Sequence, residues 1–150
     1  MEGSAVPDAP EGSRKRDRVE DPPDAVAAAL SVMRHACCKH SNFQVGAALE
    51  TTSGRLYTGC NVESDSYGLS MCAERVALFK ALSEGERHFC KLVCATEDGS
   101  ISCGGCRQLL REYCPPQTPA LFIDANANVV RDTTVGAMLP DAFVLRPIAP

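Results

Sequence analysis

Asn61-Val-Glu-Ser-Asp-Ser-Tyr-Gly-Leu-Ser-Met-Cys-Ala-Glu-Arg-Val-Ala-Leu-Phe-Lys80 is the stretch whose reading decides the fold. It leaves an apolar strand, crosses a loop of small polar residues and enters a helix through Cys72-Ala73-Glu74-Arg75. A distant partner, Ser102-Cys103-Gly104-Gly105-Cys106-Arg107-Gln108, adds a Cys-x-x-Cys pair. Both cysteine groups fall at expected helix starts. Ser70 is the expected N-cap of a helix over 71–83, and a second helix is expected from Cys103 to Tyr113, where Pro115-Pro116 stop it. A helix N-terminus presents unpaired N–H groups and partial positive charge. Both favour a thiolate over a thiol.

Two such ends aimed at one point suit a metal held through sulfur. A structural zinc normally takes four protein ligands, whereas a catalytic zinc keeps one position open. Cys72, Cys103 and Cys106 as ligands, with Glu74 close by in sequence but not ligating, fit the second case. Taken alone, Glu74 reads equally well as a carboxylate stabilised by the helix dipole. Zinc with three thiolates carries a formal charge of -1, which opposes ionisation of a bound water near neutral pH. Positive charge must offset it. The helix ends supply part, and Arg75 or Arg107 the rest; spacing alone does not choose between them.

Outward from this centre, a helix is expected from Pro23 and Asp24 to Lys39, with Val26, Ala29, Leu30, Met33 and Cys37 on one apolar face. His35 and His40 would then act as cations at its C-terminal end. Phe43 to Glu50 and Arg55 to Val62 read as a hairpin around Thr52-Ser53-Gly54. Gly46 and Gly59 inside those strands imply close approach of another backbone. In the helix over 71–83, Val76, Leu78, Phe79 and Leu82 are the apolar residues expected to meet the sheet. Further strands are expected over Lys91 to Thr96, Ala120 to Asp124 and Val129 to Asp132, with a short last helix capped by Thr133 or Thr134. This alternation argues for an α/β domain over 23–150: one mixed sheet of about five strands, sandwiched by helices. Residues 1–22, rich in proline and charge, read as a disordered tail.

The 150-residue chain carries a net charge of -4, so no global basic field holds nucleic acid. A small-molecule substrate is expected instead. No leader segment and no membrane span is read from the sequence. The nine cysteines are therefore expected as thiols and ligands in a reducing, cytoplasmic setting rather than as a disulfide framework. The six beyond the proposed ligands read as small buried hydrophobes or idle thiols.

The motifs Ser41-Asn42-Phe43-x-Val45-Gly46-Ala47-Ala48, Gly59-Cys60-Asn61-Val62-Glu63, Cys72-Ala73-Glu74-Arg75, Cys103-Gly104-x-Cys106-Arg107-Gln108 and Leu139-Pro140-x-x-Phe143 resemble, in order, those of the small homotetrameric zinc-dependent cytidine deaminases. The likeness covers roughly residues 24 to 143. It implies hydrolysis of cytidine and 2'-deoxycytidine to uridine and 2'-deoxyuridine in pyrimidine salvage, with one zinc per subunit. It makes Glu74 the proton shuttle between water, N3 and the departing ammonia. It assigns Asn61, Val62 and Glu63 to the nucleoside site, with Asn61 and Glu63 on the sugar hydroxyls. Ala73 N–H falls to the base carbonyl, Phe43 to the base face, and Tyr67 to the surrounding loop. It also implies a Phe143 contributed by a neighbouring subunit of a homotetramer, and it selects Arg75 to offset the thiolate charge.

Three positions depart from the family pattern. Ser102 and Gln44 stand where proline is usual, and Asp65 where a small alanine is usual. Ser102 is expected to serve as a helix N-cap. Three rival readings are a deaminase of a cytosine-bearing nucleoside antibiotic, a polynucleotide C-to-U editor, and a structural zinc protein with His88 or Cys90 as fourth ligand. The intact Asn61-Val62-Glu63, the acidic charge and the placement of His88 and Cys90 away from any helix start count against them in turn.

Overall fold

The computed structural model describes residues 24–145; the expected tail over 1–22 lies outside the described residues. Helix α1 (Ala25–Met33) precedes strands β1 (Gly46–Thr51) and β2 (Leu56–Cys60). Helix α2 (Ala73–Ser83), strand β3 (Phe89–Ala95) and helix α3 (Gly104–Tyr113) follow, then β4 (Pro119–Ile123), β5 (Val129–Thr134) and a one-turn helix α4 (Val135–Met138).

The five strands form one sheet in the order β2-β1-β3-β4-β5. All neighbours are antiparallel except β3 and β4, which are parallel. A parallel pair needs a crossover, and α3 supplies it. Alternation along β1 and β3 divides the core. Ala48, Val93 and Ala95 face Ala25 and Ala29 of α1, while Ala47, Leu49, Leu92 and Cys94 face α2, α3 and α4 across Ala77, Leu78, Leu110 and Val135. The layers are helix, sheet, helix, as expected.

Close packing at two glycines sets both helix positions. A Cβ on Gly46 would lie 2.1 Å from the Ala29 carbonyl oxygen, and one on Gly59 would lie 2.5 Å from that of Ala73. This contact also explains why the α2 face on the sheet differs from expectation. Its buried residues are Ala73, Glu74, Ala77, Leu78 and Ala81, and Phe79 is exposed. A helix this near a strand has room for alanine, not for a ring.

Other boundaries moved as well. Helix α1 ends at Met33 rather than Lys39, because Cys37 pairs with Val62 as an isolated bridge. The expected histidine contacts at a helix end are therefore replaced by a loop. Phe43 to Val45 precede β1 instead of starting it. Ser70 does not cap α2. Cys72 holds the N-cap position, and Ser70 Oγ accepts from the Ser64 N–H at 3.0 Å instead. Thr134 does cap α4, accepting from Ala137 N–H at 3.2 Å.

Candidate active site

Strands β2 and β3 both run antiparallel to β1, so they point the same way. The helices that follow them, α2 and α3, therefore begin at one end of the sheet. Cys72 and Cys103 occupy the N-cap positions of those helices, and neither side chain makes a capping hydrogen bond. Cys106 lies in the first turn of α3 and is fully buried.

The three Sγ atoms lie within 4.8 Å of one another, and among the described residues no further cysteine, histidine or carboxylate completes the group. Zinc–sulfur bonds of about 2.3 Å in a tetrahedron put neighbouring sulfurs about 3.8 Å apart. Cys72 Sγ and Cys103 Sγ are 3.8 Å apart. The donor set thus fits one zinc with three protein ligands. Cys90, offered as a fourth, instead donates to the Thr51 carbonyl at 3.3 Å.

Electrostatics support a metal-binding thiolate. Hydrogen bonding from Cys106, then from Arg75 and Cys103, pulls the Cys72 thiol down to about 5. Arg75 Nη2 donates to Cys72 Sγ at 3.4 Å. Arg107, the other candidate, turns elsewhere: its Nε donates to the Ser102 carbonyl at 2.7 Å and its Nη1 to the Met138 carbonyl at 3.4 Å.

Glu74 is 4% exposed in the first turn of α2. Burial pushes its carboxyl above the ordinary range, and the charge of Cys72 adds to this, while Ser102 favours the ionised form. A carboxyl raised in this way is suited to proton transfer within hydrogen-bond reach. The buried thiol of Cys94 lies beside it, raised by burial and by the neighbouring negative charges of Glu74 and Cys72.

A cleft of about 690 Å³ opens over these groups, the size of a small-molecule site. Phe43, Asn61, Val62, Glu63, Tyr67, Cys72, Glu74, Arg75 and Cys103 all line it. Ala73 is buried beneath as the first residue of α2, where a backbone N–H has no intrahelical acceptor. Phe143 is not brought into this cleft. It is 68% exposed, beside Arg111 and Glu112, with its carbonyl accepting from Gln108 Nε2 at 2.9 Å.

The rim is tied by polar contacts. The Asn61 side chain bridges Val45 N–H and the Phe43 carbonyl, both at 2.8 Å. Glu63 accepts from His40 N–H at 2.7 Å, from Ser41 N–H at 3.1 Å and from the Ser41 hydroxyl. Asp65 pairs with Lys39 Nζ at 2.6 Å and His40 Nε2 at 3.2 Å.

Sequence reasoning missed Cys94 and Thr96 as cleft residues. Alternation along β3 puts Cys94 on the α2 face, but nothing local shows that this face opens into a cleft. It also misassigned Ser102, whose hydroxyl caps nothing and has no hydrogen-bond partner.

The family model for the cytidine and deoxycytidylate deaminase zinc-binding region matches residues 20–121. A cytidine deaminase of Sporosarcina psychrophila is 40% identical over 120 residues, covering 79% of this chain and 88% of that protein. The crystal structure of cytidine deaminase from Burkholderia pseudomallei superposes with a TM-score of 0.76 at 41% identity, covering 79% of this chain and 96% of that one. Blasticidin-S deaminase of Bacillus cereus is more distant, at 30% identity over 106 residues, covering 64% of this chain and 74% of that protein.

Proposed function

The chain belongs to the cytidine and deoxycytidylate deaminase family, and from that premise we propose that it hydrolyses cytidine and 2'-deoxycytidine to uridine, 2'-deoxyuridine and ammonia. The observation that carries this reading is the convergence of the Cys72, Cys103 and Cys106 thiols beside the buried Glu74, at the floor of a cleft of nucleoside size. Greater similarity to cytidine deaminases than to the antibiotic deaminase favours the plain nucleoside.

Cys72, Cys103 and Cys106 would hold the zinc. Bound there, zinc supplies the Lewis acidity that makes water a usable nucleophile near neutral pH. Glu74 accepts the proton that water releases and carries it to N3 of the pyrimidine. It then carries a proton to the amino nitrogen, which leaves as ammonia while C4 becomes a carbonyl. One carboxylate serves each step because general acid–base transfer requires hydrogen-bond reach of each atom in turn. Arg75 offsets the excess negative charge of the thiolates. Phe43 packs on the base, Ala73 N–H meets the base carbonyl, and Asn61, Val62 and Glu63 hold the sugar side, with Tyr67 at the rim.

Phe143 is assigned to the active site of a neighbouring subunit in a homotetramer; its exposure supports a contact made outside its own chain. A place in cytoplasmic pyrimidine salvage follows from the nucleoside substrate, and all nine cysteines are free thiols, as a reducing compartment favours. No described helix is long and apolar enough to cross a membrane.

The test is loss of the cytosine chromophore on incubation with cytidine, with zinc content measured on the same sample. Turnover with about one zinc per chain, abolished in Glu74→Gln, is expected. A zinc-loaded protein that turns over neither cytidine nor 2'-deoxycytidine would overturn the reading.

A further inference from the structure

The segment between β3 and α3, residues 96–103, carries the metal-site thiol least held by packing. Cys106 is buried in α3, and Cys72 opens a helix pressed against Gly59, whereas Cys103 is exposed and makes no capping hydrogen bond. What fixes Cys103 is the path of its backbone, and that path turns on one carboxylate oxygen. Asp98 Oδ1 accepts three hydrogen bonds: from the Ser100 hydroxyl at 2.6 Å, from Ser100 N–H at 3.0 Å and from the Thr96 hydroxyl at 3.1 Å. Ser100 N–H is shared with Thr96 Oγ1 at 2.8 Å. Thr96 is itself anchored: it is buried, and its N–H donates to the Ile123 carbonyl at 3.1 Å. The bonds from Ser100, then from Thr96, hold the Asp98 carboxyl below its ordinary value, so at neutral pH it is a charged acceptor, which makes the stronger bonds.

Two further contacts close the path. Gly99 has φ +76°, and a Cβ there would overlap the Val130 side chain of β5. On the far side, Arg107 Nε donates to the Ser102 carbonyl at 2.7 Å. Only Ile101 lies between the anchored Ser100 and the anchored Ser102, so little slack remains before Cys103. A ligand set in place beforehand loses no conformational freedom when the metal binds. We propose that Asp98 is a positioning residue of the metal site, holding the segment through Ser100 so that Cys103 Sγ stands at zinc-bond spacing from Cys72 Sγ before zinc arrives. The inference rests on the reading of Cys72, Cys103 and Cys106 as the zinc ligands.

Asp98→Ala tests it on the whole chain. Zinc affinity is measured by competition with a chromophoric chelator, and Tm is measured on the metal-free and zinc-loaded protein. Zinc should bind about 10- to 100-fold more weakly, and the rise in Tm on zinc loading should shrink with it. Asp98→Asn, with a neutral acceptor in the same place, should recover part of the affinity. Ser100→Ala removes only the hydroxyl bond and should weaken zinc by a smaller factor; it carries the test if Asp98→Ala does not fold. Asp124→Ala is the control. Asp124 ties the β4–β5 turn in the same manner, its Oδ1 accepting from Asn126 and Asn128 N–H at 2.8 and 2.9 Å. Its loss should lower both Tm values and leave zinc affinity unchanged. Wild-type zinc affinity in Asp98→Ala and Ser100→Ala overturns the proposal. So does an equal weakening in Asp124→Ala, which would make the effect one of general stability. A wild-type chain that takes up no zinc defeats the reading of the ligands first, and this inference with it.

Discussion

Arg75 Nη2 donates to Cys72 Sγ at 3.4 Å, from one turn further along the same helix. The contact delivers positive charge directly to a thiolate in a site whose three sulfurs carry one negative charge more than a zinc ion can cancel. Replacing Arg75 with alanine should therefore lower kcat/KM by about 10- to 100-fold while leaving the three ligands in place. Steady-state kinetics with metal analysis checks this. Activity retained in full would assign the compensation to the helix ends alone.

Gly59 lies beneath the first turn of α2, where an added Cβ would sit 2.5 Å from the Ala73 carbonyl oxygen and 2.6 Å from the Ala77 nitrogen. Gly59→Ala should cost about 1–3 kcal/mol of stability through overpacking. It should also lower activity disproportionately, because the displaced turn carries Cys72 and Glu74. Denaturant unfolding and a deamination assay on the same preparation would show both effects.

The Ser41 hydroxyl, followed by the His40 and Ser41 N–H groups, holds the Glu63 carboxyl below its ordinary value. An unfolded glutamate titrates near about 4.3. With the folded value lower, the stability these bonds supply is present above that pH and is lost as pH falls through the folded pKa. Ser41→Ala removes the largest contribution and moves the folded value upward. The variant should be less stable near neutral pH, and its loss of stability on acidification should be smaller and complete at a higher pH than in wild type, as thermal melts across the acid range would reveal.

Asp65 joins the segment of Lys39 and His40 to the loop that carries Glu63 and Tyr67, through exposed ion pairs. Such pairs contribute about 0–1 kcal/mol and are screened by salt. Asp65→Ala should leave Tm nearly unchanged and should shift KM for cytidine at low salt only. A shift that persists at high salt would give Asp65 a direct role with substrate.

The donor set was legible because metal chemistry restricts it: three cysteines and a glutamate at helix-start spacing admit few readings. Caps were not. Ser70 and Ser102 are good cap formers by type, yet Cys72 and Cys103 occupy both N-cap positions. Where a helix begins depends on where the chain must turn to reach the other thiols, and a local propensity of about 1 kcal/mol yields to that requirement. Likewise, Cys37 leaves the α1 pattern to pair with Val62, a contact made across 24 residues of intervening chain. The two arginines show the same limit. Arg75 and Arg107 each stand within a turn of a cysteine, and only the folded positions of Ser102 and Met138 draw Arg107 away.

By itself the sequence determined the alternation of helices and strands, the close approach at Gly46 and Gly59, and the identity of the groups able to bind zinc and move a proton. Those follow from residue chemistry and spacing along one chain. Tertiary structure decided that the groups meet, because two strands antiparallel to the same neighbour send their helices off from one edge of the sheet. It also decided that Ser102 turns its hydroxyl inward, unpaired, beside Glu74. Burial and direction are properties of packing between segments far apart in the chain, and no local pattern encodes them.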